Sequence, residues 1–210
     1  MSYTYEAAWV PFTVDRTIEA AAEIGIAWAE RVAARNGRPA VLVSDQKNNT
    51  VGVDALGRYE DRHFTLRSSG GTTAGAVIAY LPSPHAMKLA TRLAHGNALV
   101  VVELQIPWRL KGWARAAGAV DLPSGDRELG LDDGLKKQLE TLEFYGNNGY
   151  PRGYGRDHAL RVLREMQAEG QLGDRDMVLS ALLVGKLSSD GLETLDKLIT
   201  EVAGSRTCTA

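Results

Sequence analysis

The sequence predicts an α/β protein: a mostly parallel, Rossmann-like three-layer core over residues 1–122, followed by a helical bundle over residues 128–205. Three observations predict it. Three short apolar runs, Ala40–Val43, residues 76–81 and Ala98–Val102, have the length and β-branched content of strands buried on both faces. Helical periodicity alternates with these runs, as in a parallel sheet covered by helices. Beyond a Pro/Gly-containing linker at residues 123–127, every apolar pattern is helical.

The first helix is expected over residues 15–36, where Ile18, Ala22, Ile26, Ala29 and Val32 or Ala33 recur at steps of three and four before Gly37 and Pro39 end the pattern. The run Ala40–Val43 follows as a strand. Residues 44–75 are the least regular. They hold Lys47-Asn-Asn-Thr50, a short strand at residues 51–53 and a charged segment from Arg58 to His63, and they read as an extended excursion with an antiparallel edge hairpin. Residues 76–81 form the second central strand. Ser83 then sits at an N-cap, Pro84 at the first helical position and Gly96 at the stop, so residues 83–95 complete a βαβ unit with Ala98–Val102. A helix over 108–117 and a short strand over 118–121 close the core.

Four helices are expected in the tail, over residues 131–145, 156–169, 174–184 and 190–203. Their stripes are Leu131/Leu135/Leu139/Leu142, Ala159/Leu160/Leu163/Met166, Met177/Val178/Ala181/Leu182 and Leu192/Leu195/Leu198/Ile199. Asp190 with Glu193 resembles a capping box. Trp108 and Trp113, five residues apart, fall on different helix faces and read as packing residues at the joint between the two parts.

Composition narrows the function classes. With 210 residues, 44% hydrophobic and 24% charged, the chain has the make-up of an ordinary globular protein. The 24 basic and 26 acidic side chains give a net charge of -2, so no global field draws it to nucleic acid or anionic lipid, and any attraction must be local. Residues 1–10 lack the basic start and apolar run of a signal peptide, and no stretch is long enough to span a bilayer; the cytoplasm is the expected compartment. The single cysteine, Cys208, lies in a polar tail and can form neither an internal disulfide nor a thiolate metal site. His63 and His95 have no zinc-ligand spacing, and no metal or cofactor is expected.

Two places can carry function. Open parallel sheets bind ligands beyond the carboxyl ends of their strands. That edge collects Ser44, Asp45, Gln46 and Lys47, then Ser83 and His85, then Glu103 and Gln105, and finally Asp121. Asp45, Lys47, His85 and Glu103 are the candidate acid and base groups, and a free helix N-terminus at Ser83 would hold an anion. The plain alternative is that strands of any parallel sheet end in polar residues where the chain meets water. The loop at residues 68–75 is rich in glycine and hydroxyl groups, yet it enters a strand instead of leaving one and lacks the Gly-Lys-Ser/Thr ending of a phosphate loop, so it reads as a connector.

The second place is residues 144–158, Phe-Tyr-Gly-Asn-Asn-Gly-Tyr-Pro-Arg-Gly-Tyr-Gly-Arg-Asp-His, between two helices. Tyr150, Arg152, Tyr154 and Arg156 are the candidate binding residues: rings that stack on bases and guanidinium groups that touch phosphates, with Arg161 and Arg164 on the next helix. A helix-turn-helix arrangement is also compatible. Against this, glycines make tight connections, tyrosines cap a bundle core, and Glu165 and Glu169 dilute the basic face. The favoured reading is a non-catalytic binding module whose loop and helical tail contact nucleic acid or a protein. The alternative is an enzyme that binds a nucleotide or phosphometabolite at the sheet edge.

Overall fold

A computed structural model describes residues 5–68, 73–103 and 109–204. It divides into two compact units, an α/β unit of Ser2–Arg109 and Ala117–Leu129 and a helical unit of Leu110–Ala116 and Gly130–Ala210.

The α/β unit is built on strands β1 (Glu6–Val10), β2 (Ala40–Val43), β3 (His63–Phe64), β4 (Ala76–Tyr80), β5 (Ala98–Val102) and β6 (Val120–Asp121). They form one parallel sheet in the order β3-β2-β4-β5-β1-β6. Every residue of β2, β4 and β5 is buried, which is why these strands are continuous apolar runs and not alternating ones. Register places Leu42 beside Ile78, Ile78 beside Val100 and Val100 beside Ala8, a row of side chains across one face.

Helix α1 (Ile18–Arg35) covers that face with Ala22, Ile26, Ala29, Val32 and Ala33. It begins three residues later than its periodicity suggests, because Thr17 is the cap and accepts the Ala20 N–H at 3.2 Å. Helix α2 (Pro84–Leu93) packs on β4 and β2, and its buried Ala86, Met87 and Ala90 lie outside the α1-side cluster. The alternate strand residues Val41, Val77, Ala79, Leu99 and Val101 are buried as well, so both faces of the sheet are covered.

Three local expectations are corrected. The stretch Glu6–Val10 is a strand that sequence reasoning passed over. Residues 51–53 form no strand, and among the described residues of this stretch there is no antiparallel edge hairpin; two 3-10 segments, Lys47–Thr50 and Asp54–Arg62, lead into β3, which pairs parallel to β2. The cause is spacing. Leu56 and Tyr59, three apart, eclipse on a 3-10 turn and both are buried in the α1-side cluster, while the Tyr59 hydroxyl donates to Glu30 Oε1 at 3.1 Å. The third correction concerns the last helix, α7 (Ser189–Gly204): Gly191 N–H donates to Ser188 Oγ at 3.1 Å, so Ser188, and not Asp190, supplies the capping oxygen.

Burial pushes the Tyr80 phenol up to about 12 and also raises that of Tyr59, which faces the Glu30 carboxylate. Below the ordinary phenol pKa of about 10 both folded and unfolded chains keep these protons. Above it the unfolded chain releases protons that the folded chain retains, so stability falls as pH rises from about 10 towards 12. Urea midpoints measured across this range should decline, and Tyr80→Phe should make the decline shallower; an unchanged slope in that variant would refute the assignment.

The helical unit contains α3 (Lys111–Ala117, up to Ala116), α4 (Asp133–Gly146), α5 (Tyr154–Ala168), α6 (Arg175–Ala181) and α7. Asp132 and Asp174 cap α4 and α6, each accepting a backbone N–H at 2.9 Å. Helix α4 packs on α5, and α7 on α5 and α6, through the leucine stripes expected from sequence. Although α3 precedes β6 in the chain, most of it belongs here: a side chain at Gly112 would run into the Met177 backbone of α6, and Trp113 is fully buried. Trp108 and Cys208 lie outside the described residues.

Candidate functional site

At the carboxyl edge of the sheet the chain satisfies its own polar groups. Ser44, at the end of β2, donates its hydroxyl proton to Gln46 O at 2.7 Å, and its Oγ lies 2.7 Å from His63 Nε2. With that proton engaged, the bond requires His63 Nε2 to be the donor. Burial, with Lys47 nearby, holds the His63 pKa below its ordinary value, in keeping with a neutral ring. Asp45 accepts from Ser83 N at 2.8 Å and from Ser83 Oγ. The α2 N-terminus expected to be free for an anion therefore already holds a carboxylate of the same chain.

Strands β1 and β5 are adjacent, and their outgoing connections lead in opposite directions, to β2 and to β6, which makes this the topological switch point of the sheet. Glu103 stands there, 5% exposed, accepting the Phe12 N–H at 3.2 Å. The crevice around it, lined by residues such as Pro11, Thr17, Leu81 and Val102, holds only about 10 Å³. That is room for about one water and no ligand. Lys47 is exposed on its 3-10 turn, and His85 is exposed on α2 in a separate groove. Asp121 accepts the Ser124 N–H at 3.3 Å within the turn after β6. The four candidate acid and base groups thus face separate surroundings; Gln105 lies outside the described residues.

The segment between α4 and α5 is different. Gly149, Tyr150 and Gly153 all have positive φ, at 77°, 55° and 91°, so the chain reverses in a tight left-handed course. Tyr150 is turned inward: it is buried, its hydroxyl donates to Leu142 O at 2.8 Å, and its ring lies so close on Gly146 that a Cβ there would collide with it. Burial, reinforced by Glu143, raises its phenol pKa. Tyr150 is a peg that fixes the loop. Arg156 is likewise engaged, 2.6 Å from Glu201 on α7, and Arg161 lies 3.0 Å from His158 Nδ1 and 4.0 Å from Glu165. Arg164 is exposed on α5.

Arg152 and Tyr154 face outward, onto a pocket of about 890 Å³ that Glu140, Phe144, Tyr145 and Lys186 also line. Phe144, Tyr145 and Tyr154 give it an aromatic wall, and the His158 ring packs against the last two. Tyr145 and His158 stack at 4.5 Å and 7°, Tyr154 meets His158 edge-on at 4.1 Å and Tyr145 at 5.6 Å, and Phe144 meets Tyr145 at 5.3 Å. The Tyr145–His158, Tyr145–Tyr154 and Phe144–Tyr145 separations are those at which aromatic pairs attract. A hydrogen bond with Tyr154 raises the Tyr145 phenol pKa. Despite this packing, Phe144 is 75% and Tyr154 71% exposed. Among the described residues, the side chains of Arg152 and Lys186 have no ion-pair or hydrogen-bond partner. Glu143 accepts the Lys186 N–H and abuts Gly185, which fixes the far rim.

Sequence reasoning missed Phe144, Tyr145 and Lys186 as site residues. The first two lie inside the segment it singled out, whereas Lys186 arrives from a different connection with no local signal. Among the described residues there is no group of three His, Cys, Asp or Glu that could hold a metal, and no helix long and apolar enough to cross a membrane.

Fold and pocket together define the class: an α/β protein with a six-stranded parallel sheet, whose second unit is helical and carries an aromatic-walled pocket. Comparison of the chain with protein-family models, curated proteins and solved structures finds no match.

Proposed function

We propose that this protein is a non-catalytic binding module whose helical unit takes single-stranded nucleic acid, with bases stacking on Phe144 and Tyr154 and phosphates meeting Arg152 and Lys186. The observation that carries this reading is the pairing of two exposed rings with two cations, Arg152 and Lys186, whose side chains have no partner among the described residues, around one pocket of about 890 Å³. Flat apolar faces left in water beside positive charge suit a ligand that alternates aromatic and anionic groups. The volume lies within the range of ordinary ligand pockets, about 300–1,000 Å³. The sheet edge lends less support to an enzyme, because Asp45, His85 and Glu103 do not share a cavity.

Two phosphate contacts predict a shallow salt dependence, a log–log slope of about -1.4 for a single strand. Fluorescence anisotropy with a labelled oligonucleotide tests this directly. Tyr154→Ala should weaken binding by about 5- to 150-fold, the worth of one stacked base, and Arg152→Ala with Lys186→Ala should flatten the salt slope. Equal affinity in wild type and Tyr154→Ala, or no binding at low salt, would defeat the proposal.

A further inference from the structure

The pocket of the helical unit has two lining residues that the stacking and phosphate contacts leave unused, Asn147 and Asn148. Both are exposed, and among the described residues neither side chain has a hydrogen-bond partner. Nor does the backbone call for asparagine at either position. Asparagine is favoured in turns because it tolerates positive φ and because its side chain bonds to nearby backbone. Asn147 sits at φ -57° and ψ -26°, ordinary helical values, and Asn148 is not among the residues of positive φ; Gly149, Tyr150 and Gly153 carry the left-handed course. The turn closes through the Gly149 N–H, which donates to Gly146 O at 2.8 Å without help from either amide.

Two adjacent primary amides therefore line the pocket beside the rings of Phe144, Tyr145 and Tyr154. A primary amide carries an acceptor next to its donors, and it pairs best with a base edge that offers a donor next to an acceptor. Adenine has that edge in its N6 amino group and N7, whereas guanine O6 and N7 are both acceptors and thymine offers O4 beside a methyl group. Glu143 lines the same pocket, and its carboxylate, held at the rim by the Lys186 N–H, attracts an amino group and repels a carbonyl oxygen. Cytosine also has an amino group, but its single ring stacks over less area than a purine. We propose that the pocket selects adenine within a single strand, with Asn147 and Asn148 reading its N6 and N7 edge while its ring stacks on Phe144 or Tyr154. This rests on the nucleic-acid reading of the pocket and assigns the base it prefers.

Fluorescence anisotropy of the full chain, with short labelled thymidine strands carrying A, C, G or T at the central position, tests it. The strand with adenine should bind about 5- to 150-fold tighter than the all-thymidine strand, the worth of one bidentate base contact. The double variant Asn147→Ala, Asn148→Ala should lose that preference yet bind the all-thymidine strand as wild type does, with an unchanged thermal midpoint because both side chains are exposed. Equal binding of all four strands by wild type, or a preference for C or G, would overturn the base assignment and leave the stacking and phosphate contacts standing. An adenine preference that survives in the double variant would overturn it as well, since ring stacking would then account for the selectivity. Failure of every strand to bind at low salt removes the underlying nucleic-acid reading, a result distinct from each of these.

Discussion

Gly75→Ala should destabilise the α/β unit by about 3 kcal/mol, the upper range for forcing an atom into filled space. A Cβ at this position would lie well inside van der Waals contact with the Arg38 carbonyl oxygen, and 3.0 and 3.1 Å from Arg38 C and Ala33 Cα. All three are backbone atoms, which cannot rotate away as a side chain can. Nor can Gly75 retreat easily. Its N–H donates to Pro39 O at 2.9 Å, and its carbonyl accepts from Asn36 Nδ2 at 2.8 Å, immediately before the Ala40 and Ala76 pairing of β2 with β4. Relief of the clash must therefore pull apart the end of α1 and the start of the central ladder. Gly57→Ala is the matched control, since nothing lies within 4 Å of its Cβ and its φ is not positive. Urea denaturation should show a large fall in midpoint for the first variant and almost none for the second; similar midpoints would contradict the packing described.

Tyr150→Ala should cost the helical unit about 3–5 kcal/mol, the usual range for emptying a buried aromatic site. It removes the ring seated on Gly146 and the hydroxyl bonded to Leu142 O. The loop then loses its peg, so Arg152 and Tyr154 lose their fixed placement and oligonucleotide binding should fall with stability. Tyr150→Phe separates the two effects. It keeps the ring, gives up one hydrogen bond at about 1 kcal/mol, and should bind as wild type does. A Tyr150→Phe protein of near-normal stability that no longer binds would mean that the hydroxyl contacts the ligand, against its burial here.

The contrast between Tyr150 and Tyr154 shows where sequence reading stops. The density of glycine, proline and aromatic residues in 144–158 was enough to mark the segment, because few core-forming stretches carry that composition. Which ring points inward depends on backbone reversals at residues 149, 150 and 153, and loop residues have no period from which to infer direction. The Asp45 bond to Ser83 and the arrival of Lys186 at the pocket join residues distant in sequence, and neither leaves a local trace. The central strands were legible for the opposite reason. Burial on both faces forces a continuous apolar run, and the short strand expected over residues 118–121 contains β6, whereas β1 opens on the charged Glu6 and β3 has only two residues at the end of a charged segment.

The place of β1 in the sheet has a consequence for synthesis. It is made first, yet its neighbours are β5 and β6, with Glu6 beside Ala98 and Ala8 beside Val120. A growing chain can close the α2 crossover between β4 and β5 from nearby segments, but β1 has no partner until most of the α/β unit has been translated. Until then an apolar strand with two open edges accompanies the nascent chain, the kind of surface that chaperones and aggregating neighbours recognise. The pairings of β1 close the largest loops in the sheet and so carry its largest loop-closure entropy.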